Sequence, residues 1–221
     1  MNSKTQRLTL AGPAGALEAL QDLPDASVVV QPRGLAIVAH PHPLFGGTMD
    51  NKVVQTMARA LVQCGWTTVR FNFRGVGASE GAYDAGMGEL ADLLAVLEYS
   101  AAALPGAHSG PIALAGFSFG AFVVSHAVAA VAGTRDLQQI VLVGTAVSRF
   151  EVAPIAPELH DRTLVLHGEQ DDTVPLADVL DWARPQALPV TVVPAVGHFF
   201  HGQLPLLRSL VVRHLRAGAA L

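Results

Sequence analysis

Between Pro111 and Gly133 the chain runs 23 residues without an Asp, Glu, Lys or Arg. On length alone that stretch can cross a bilayer, but its internal pattern divides it. A β-favouring run, Pro111–Phe117, meets a Gly-x-Ser-x-Gly turn, and an Ala/Val-rich segment carrying Ser125 and His126 follows. The reading is a buried strand, a tight turn and a buried helix, with no membrane span.

The same alternation recurs along the chain. Short strand-like runs occur at Gly34–Ala39, Thr67–Phe73, Ile112–Phe117, Gln139–Gly144, Thr163–His167 and Val190–Val193. Helical stripes lie between most of them. Leu90, Leu93, Leu94, Leu97 and Ala101 make one, stopped by Pro105-Gly106; Val53, Val54, Met57, Ala60 and Leu61 make a second. Leu176, Val179, Leu180 and Ala183 give a shorter third. Leu207, Leu210, Val211, His214 and Leu215 give a fourth, with Arg213 and Arg216 near its negative end. Strands alternating with helices imply right-handed crossovers and a mostly parallel sheet covered on both faces. Near the N-terminus, Arg7–Leu10, Leu17–Leu20 and Ser27–Gln31 read as short strands joined by turns, forming an antiparallel edge. The connection Thr145–Asp161 holds Pro154 and Pro157 without a periodic stripe, and reads as a loop or a ragged short helix.

No repeat, linker or composition shift divides the 221 residues, so one α/β domain, 1–221, is expected. With 51% hydrophobic residues the chain can bury enough apolar surface to offset its entropy, which excludes disorder. Cys64 is the one cysteine, which excludes a disulfide framework and suits a reducing, cytoplasmic setting. A formal charge of −4, two lysines (Lys4 and Lys52) and no basic run argue against nucleic acid as a partner. The N-terminal segment lacks the apolar stretch of a signal peptide.

The strongest chemical signal is Gly116-Phe117-Ser118-Phe119-Gly120. A serine on so sharp a strand-to-helix turn sits in a strained conformation with chain crowding it on both sides. Glycines two residues before and after remove the side chains that would collide. The turn lifts the hydroxyl above the sheet edge, where the following helix points its positive end.

A serine hydroxyl needs a base, and the base needs a group to hold it. Partners should follow later strands, because sites form at the carboxyl ends of parallel strands. Asp171 and Asp172 come just after Thr163–His167; His198 and His201 come just after Val190–Val193. The order Ser, Asp, His is the one expected of this architecture. Of the adjacent aspartates, one should orient the base while the other faces solvent or caps the next helix. His198 follows a glycine that allows a turn, whereas His201 suits a supporting or surface position.

The fourth element is His40-Pro41-His42-Pro43-Leu44-Phe45-Gly46-Gly47, directly after the strand Gly34–Ala39. Acyl transfer needs two backbone N–H donors for the developing oxyanion. Phe119, after the serine, should supply one. Prolines 41 and 43 have no N–H, so the other is His42 or Leu44, with His42 preferred.

Two other chemistries use the same residues. His40, His42, His167, His198, His201 and the aspartates invite a hydrolytic metal site, yet no H-x-x-x-H or H-x-H-x-D spacing is present. Phe73–Gly81 hints at a dinucleotide loop, but its third glycine is misplaced for G-x-G-x-x-G and no apolar helix follows at once. A mobile loop is the plainer reading.

With these residues in place, the chain resembles the α/β-hydrolases. It closely resembles a small bacterial group of serine hydrolases, described as carboxylesterases, whose signature runs H-P-H-P-x-x-G-G. The resemblance rests on HPHPLFGGTMDNKVV, FNFRGVGASEG, GFSFG, HGEQDDTVP and GHFFHG in the usual order. It implies Ser118 as nucleophile, His198 as general base and, through the H-G-x-x-D-x-x-V-P pattern, Asp171 as the orienting acid. Many larger relatives insert a lid where this chain has only the 17 residues Thr145–Asp161, so no lid domain is expected. The implied fold is a doubly wound sheet of about seven to eight strands. The implied activity is cleavage of a carboxylic ester, or a related thioester, lactone or peptide bond, with no cofactor, no membrane and a small-molecule substrate. Phenylalanines 45, 117, 119, 199 and 200 sit in or beside the motifs as candidate pocket walls.

Overall fold

The computed structural model describes residues 5–27, 29, 31–103 and 110–218. Its elements are β1 (Thr5–Gly12), β2 (Gly15–Asp22), β3 (Leu35–Ala39), α1 (Lys52–Gln63), β4 (Thr67–Phe71), α2 (Met87–Ala103), β5 (Ile112–Phe117) and α3 (Phe119–Val131). They continue as β6 (Leu137–Val143), β7 (Thr163–Gly168), α4 (Leu176–Ala183), β8 (Val190–Val193) and α5 (Leu204–Ala217). The eight strands form one sheet in the order β1-β2-β4-β3-β5-β6-β7-β8. From β4 to β8 every neighbouring pair is parallel; β1–β2 and β2–β4 are antiparallel.

The uncharged window is a strand and a helix, β5 and α3, both buried along most of their length. Side chains of the central strands alternate between two cores because a strand's residues point to opposite faces in turn. Leu35, Ile37, Leu114 and Leu142 pack beneath α2 and α3, while Ala36, Val38, Ala115 and Val143 pack beneath α1 and α5. The α1 stripe is fully used: Val53, Val54, Met57, Ala60 and Leu61 are all buried. Burying each of the larger of these is worth about 1.5–3 kcal/mol. Asn51 starts α1 by accepting a 2.9 Å hydrogen bond from the Val53 N–H. No helix among the described residues is long and apolar enough to cross a membrane.

Three expectations need correction. Ser27–Gln31 is not a third N-terminal strand: its described residues, Ser27, Val29 and Gln31, form no ladder, and Val28 and Val30 lie outside the described residues. The helix stop at Pro105-Gly106 also lies outside them. The stretch after β4 is tied down, not free. The Arg74 guanidinium grips Asp92 on α2, with Nη2–Oδ1 at 2.7 Å and Nε–Oδ2 at 3.0 Å. Asn72 Nδ2 donates to Glu18 on β2 at 2.8 Å, and Glu80 accepts from the Ala16 N–H at 2.7 Å. Leu180, expected on the apolar stripe of α4, is exposed.

The connection between β6 and β7 contains one short 3-10 turn, Pro157–Arg162, and no lid.

Candidate active site

Ser118 stands between β5 and α3 with φ 56° and ψ −116°, a conformation an L-residue adopts only under strain. What holds it there is close approach on both sides. A β-carbon on Gly116 would collide with the Gly120 carbonyl, and one on Gly120 with the Ala39 carbonyl of β3. The turn is further pinned by the Ser118 N–H, which donates to Val143 O of β6 at 2.8 Å.

The loops after β7 and β8 bring Asp171 and His198 to this serine. His198 Nδ1 lies 2.6 Å from Asp171 Oδ2, and His198 Nε2 lies 3.0 Å from Ser118 Oγ. All three residues are buried. An ionised carboxylate only accepts, so Nδ1 carries the imidazole proton and Nε2 is left to accept from the serine hydroxyl. Burial pushes the Asp171 carboxyl up, but the hydrogen bond and charge of His198 and the Val174 N–H outweigh it and hold it below its ordinary value. Its other oxygen, Oδ1, accepts from the N–H groups of Val174 at 2.7 Å and Thr173 at 2.9 Å. Asp172 is exposed and takes only a 3.4 Å contact from the Thr173 hydroxyl. It does not cap α4, whose N-cap is Pro175. His201 is exposed, with its ring 5.8 Å from that of Phe199.

The loop 40–47 lies over the N-terminus of α3. His40 is buried and bonded through both ring nitrogens: Nε2 accepts from the Phe73 N–H at 3.0 Å, and Nδ1–H donates to Pro41 O at 2.6 Å. Burial pushes its pKa down to about 4, so it stays neutral. His42 takes the Leu44 N–H on Nδ1 at 3.2 Å. That fixes the proton on Nε2, which donates to the Tyr83 hydroxyl at 3.2 Å. The His42 pKa is lowered by partial burial and by the charge of Arg149, against an upward pull from Glu89. Leu44 therefore has its N–H engaged, whereas the N–H groups of His42 and Phe119 donate to no acceptor among the described residues.

A cavity of about 370 Å³ opens over Ser118 and His198. Phe45, Phe119 and Phe199 wall it, joined by Phe150, which stacks on Phe122 with ring centroids 4.8 Å apart. Phe117 and Phe200 do not line it; both are fully buried beneath α1 and α5. Phe117 instead packs against the His198 ring at 4.9 Å. Arg149, Phe150 and Tyr83 carry no motif and had no sequence signal. Among the described residues, no three His, Cys, Asp or Glu side chains gather as a metal-binding group.

Residues 31–159 match the family described as serine aminopeptidase, S33, a stretch that holds loop 40–47 and Ser118 but ends before Asp171. A crystal structure of a lidless α/β serine hydrolase from Xanthomonas campestris is 38% identical, covers 98% of this chain and 96% of its own, and superposes with TM-score 0.86. An α/β serine hydrolase homologue from Coxiella burnetii is 38% identical over 95% of this chain and 97% of its own, TM-score 0.79. An uncharacterised Rickettsia prowazekii protein is 37% identical over 66% of this chain, and that match spans 60% of the relative's length.

The chain belongs to this family of α/β-hydrolases. It is a serine hydrolase of the lidless α/β fold.

Proposed function

We propose that this chain acts as one domain in the cytoplasm and hydrolyses short-chain carboxylic esters through an acyl-serine intermediate. The observation that carries this reading is the relay Asp171–His198–Ser118, at 2.6 and 3.0 Å, at the floor of an apolar cavity. Ser118 Oγ attacks the ester carbonyl while His198 Nε2 takes its proton, forming the carbon–oxygen bond to the enzyme. The tetrahedral intermediate then expels the alcohol, which leaves with the proton held by His198. Water, deprotonated by the same nitrogen, attacks the acyl-serine; the second tetrahedral intermediate collapses, and His198 returns that proton to Ser118 Oγ as the acid is released. Asp171 holds the imidazole tautomer and stabilises the imidazolium formed in each half. The free N–H groups of His42 and Phe119 receive the oxyanion. Leu44 is set aside because its N–H is held by His42 Nδ1.

The size of the cavity and the short connection between β6 and β7 support small acyl groups. An aminopeptidase reading, suggested by the family's description, needs an acidic group to hold the substrate's free amine. Among the described residues, no carboxylate lines the cavity. No cofactor is required by the steps above.

Labelling with a fluorophosphonate probe tests the reading: the wild type labels and Ser118→Ala does not. Equal labelling of both would move the nucleophile elsewhere.

A further inference from the structure

Arg149 is the one formally charged side chain lining the cavity, and its guanidinium has no hydrogen-bond or ion-pair partner among the described residues. Most other arginines of the structure are engaged: Arg7 with Glu18, Arg59 with Gln55, Arg70 with Asp22 and Asp50, Arg74 with Asp92, Arg135 with Glu98, Arg162 with Leu137 O and Arg184 with Asp181. The backbone of Arg149 is held in place, with its side chain exposed at the cavity. It sits on the turn after β6, where its own N–H and that of Phe150 both donate to Ala146 O, at 3.2 and 3.1 Å. Phe150 anchors that turn by stacking on Phe122 and meeting Phe119 at 5.1 Å. Its charge reaches across to the oxyanion loop, where it lowers the His42 pKa.

The remaining polar groups of the cavity point the same way. Asn51 Oδ1 accepts from the Val53 N–H, and of its side-chain amide the two N–H donors remain, on a residue that lines the cavity. Phe119 stands at the positive end of α3. Outside the relay, the cavity offers one cation, amide and hydroxyl groups and apolar walls, and among the described residues no acid, in a protein whose formal charge is −4. Low-dielectric walls around one sign of charge focus its field on an incoming ligand.

We infer that the substrate of this site carries an anion of its own, a carboxylate at the far end of a short acyl group, and that Arg149 holds it while the ester carbonyl meets Ser118. A guanidinium fork pairs a carboxylate through two parallel hydrogen bonds. One cation balances one negative charge, which favours a carboxylate over a dianionic phosphate. The inference rests on the ester-hydrolase reading of the site and narrows it to monoesters of small dicarboxylic acids.

The test compares aryl esters of succinic acid, with its second carboxylate free, and of butyric acid, which has the same chain length and no charge. The wild type should favour the succinyl ester in kcat/KM by about tenfold or more, in low salt, with the ratio shrinking as salt is added. Arg149→Ala should bring the ratio close to one and Arg149→Lys to an intermediate value, since lysine keeps the charge without the fork. Arg213→Ala, which removes an exposed arginine from α5, should leave the ratio as in the wild type. Calorimetry on Ser118→Ala gives a readout free of chemistry: the succinyl ester should bind more tightly than the butyryl ester, and adding Arg149→Ala should erase the difference. Equal binding of the two esters, or a kcat/KM ratio indifferent to Arg149, overturns the inference while leaving the serine mechanism standing. Charge-selective binding without Ser118-dependent hydrolysis would uphold Arg149 and sink the ester reading instead.

Discussion

Asp171 reaches His198 with one carboxylate oxygen and keeps the other on the backbone of its own loop. The division fixes the carboxylate in position and orientation at once, so that the imidazole has a rigid partner. Asp172, one residue on, turns outward.

Asp171→Asn should therefore lower kcat by several orders of magnitude with its fold intact. An amide in that place favours the wrong imidazole tautomer, which costs about 10⁴-fold in the serine-protease triad. Asp172→Asn should lose less than about tenfold, roughly 1.4 kcal/mol of barrier. Steady-state kinetics with circular dichroism on both variants decides between them; a crippled Asp172→Asn would move the acid by one residue.

His42 should be sensitive through its side chain as well as its backbone. Removing the ring in His42→Ala frees the Leu44 N–H and loosens the turn that presents the His42 N–H. A fall in kcat of about 10²-fold, with KM little changed, is expected from loss of an oxyanion donor. His42→Asn can accept the N–H two residues on and should recover much of that loss. Equal kcat in the Ala and Asn variants would show that the side chain does not position the loop.

Acyl chain length gives a third test. With no lid to cover a long chain, each added methylene past the cavity's reach gains little of the ~0.8 kcal/mol its burial provides. Among uncharged esters kcat/KM should peak with short acyl groups and show no jump above the substrate's solubility limit. Preference for long chains would contradict it.

Stability should respond to acid through His40. Its folded pKa of about 4 lies below the ordinary 6.5 because burial disfavours the imidazolium. Between those values the unfolded chain takes up a proton that the folded chain refuses. The contribution is thus fully present above pH 6.5 and is lost as pH falls toward about 4. The drop amounts to roughly 3 kcal/mol at 1.36 kcal/mol for each pKa unit. His40→Asn should be less stable than the wild type at neutral pH and lose less on acidification. Urea melts from pH 7.5 to 4 measure both, and parallel pH slopes would remove His40 from the account.

The strand-to-helix rhythm was legible because burial on both sheet faces forces near-continuous apolar runs, as in the central strands β3, β5 and β7. The relay was legible for a topological reason: parallel strands all end on one edge, so Ser118, Asp171 and His198 each follow a strand in the sequence. Side-chain direction was less so. Phe117 and Phe200 stand beside the motifs yet point into the core, because neighbours along a strand or turn face opposite ways. Ser27–Gln31 has strand-forming residues, but among those described none pairs with a neighbour. Arg149 was invisible, since an exposed arginine after a strand means nothing until the cavity around it is seen.

Ser118 and His198 are separated by 80 residues and sit on the ends of different strands, with Asp171 on a third. Contacts so far apart in sequence carry a loop-closure entropy that folding must overcome. In the proposed mechanism, until β5, β7 and β8 are in register the serine lacks its base and the base its orienting acid. On that mechanism an unfinished or misassembled chain should be chemically inert, and the first appearance of probe-reactive serine should mark the moment when that half of the sheet is complete.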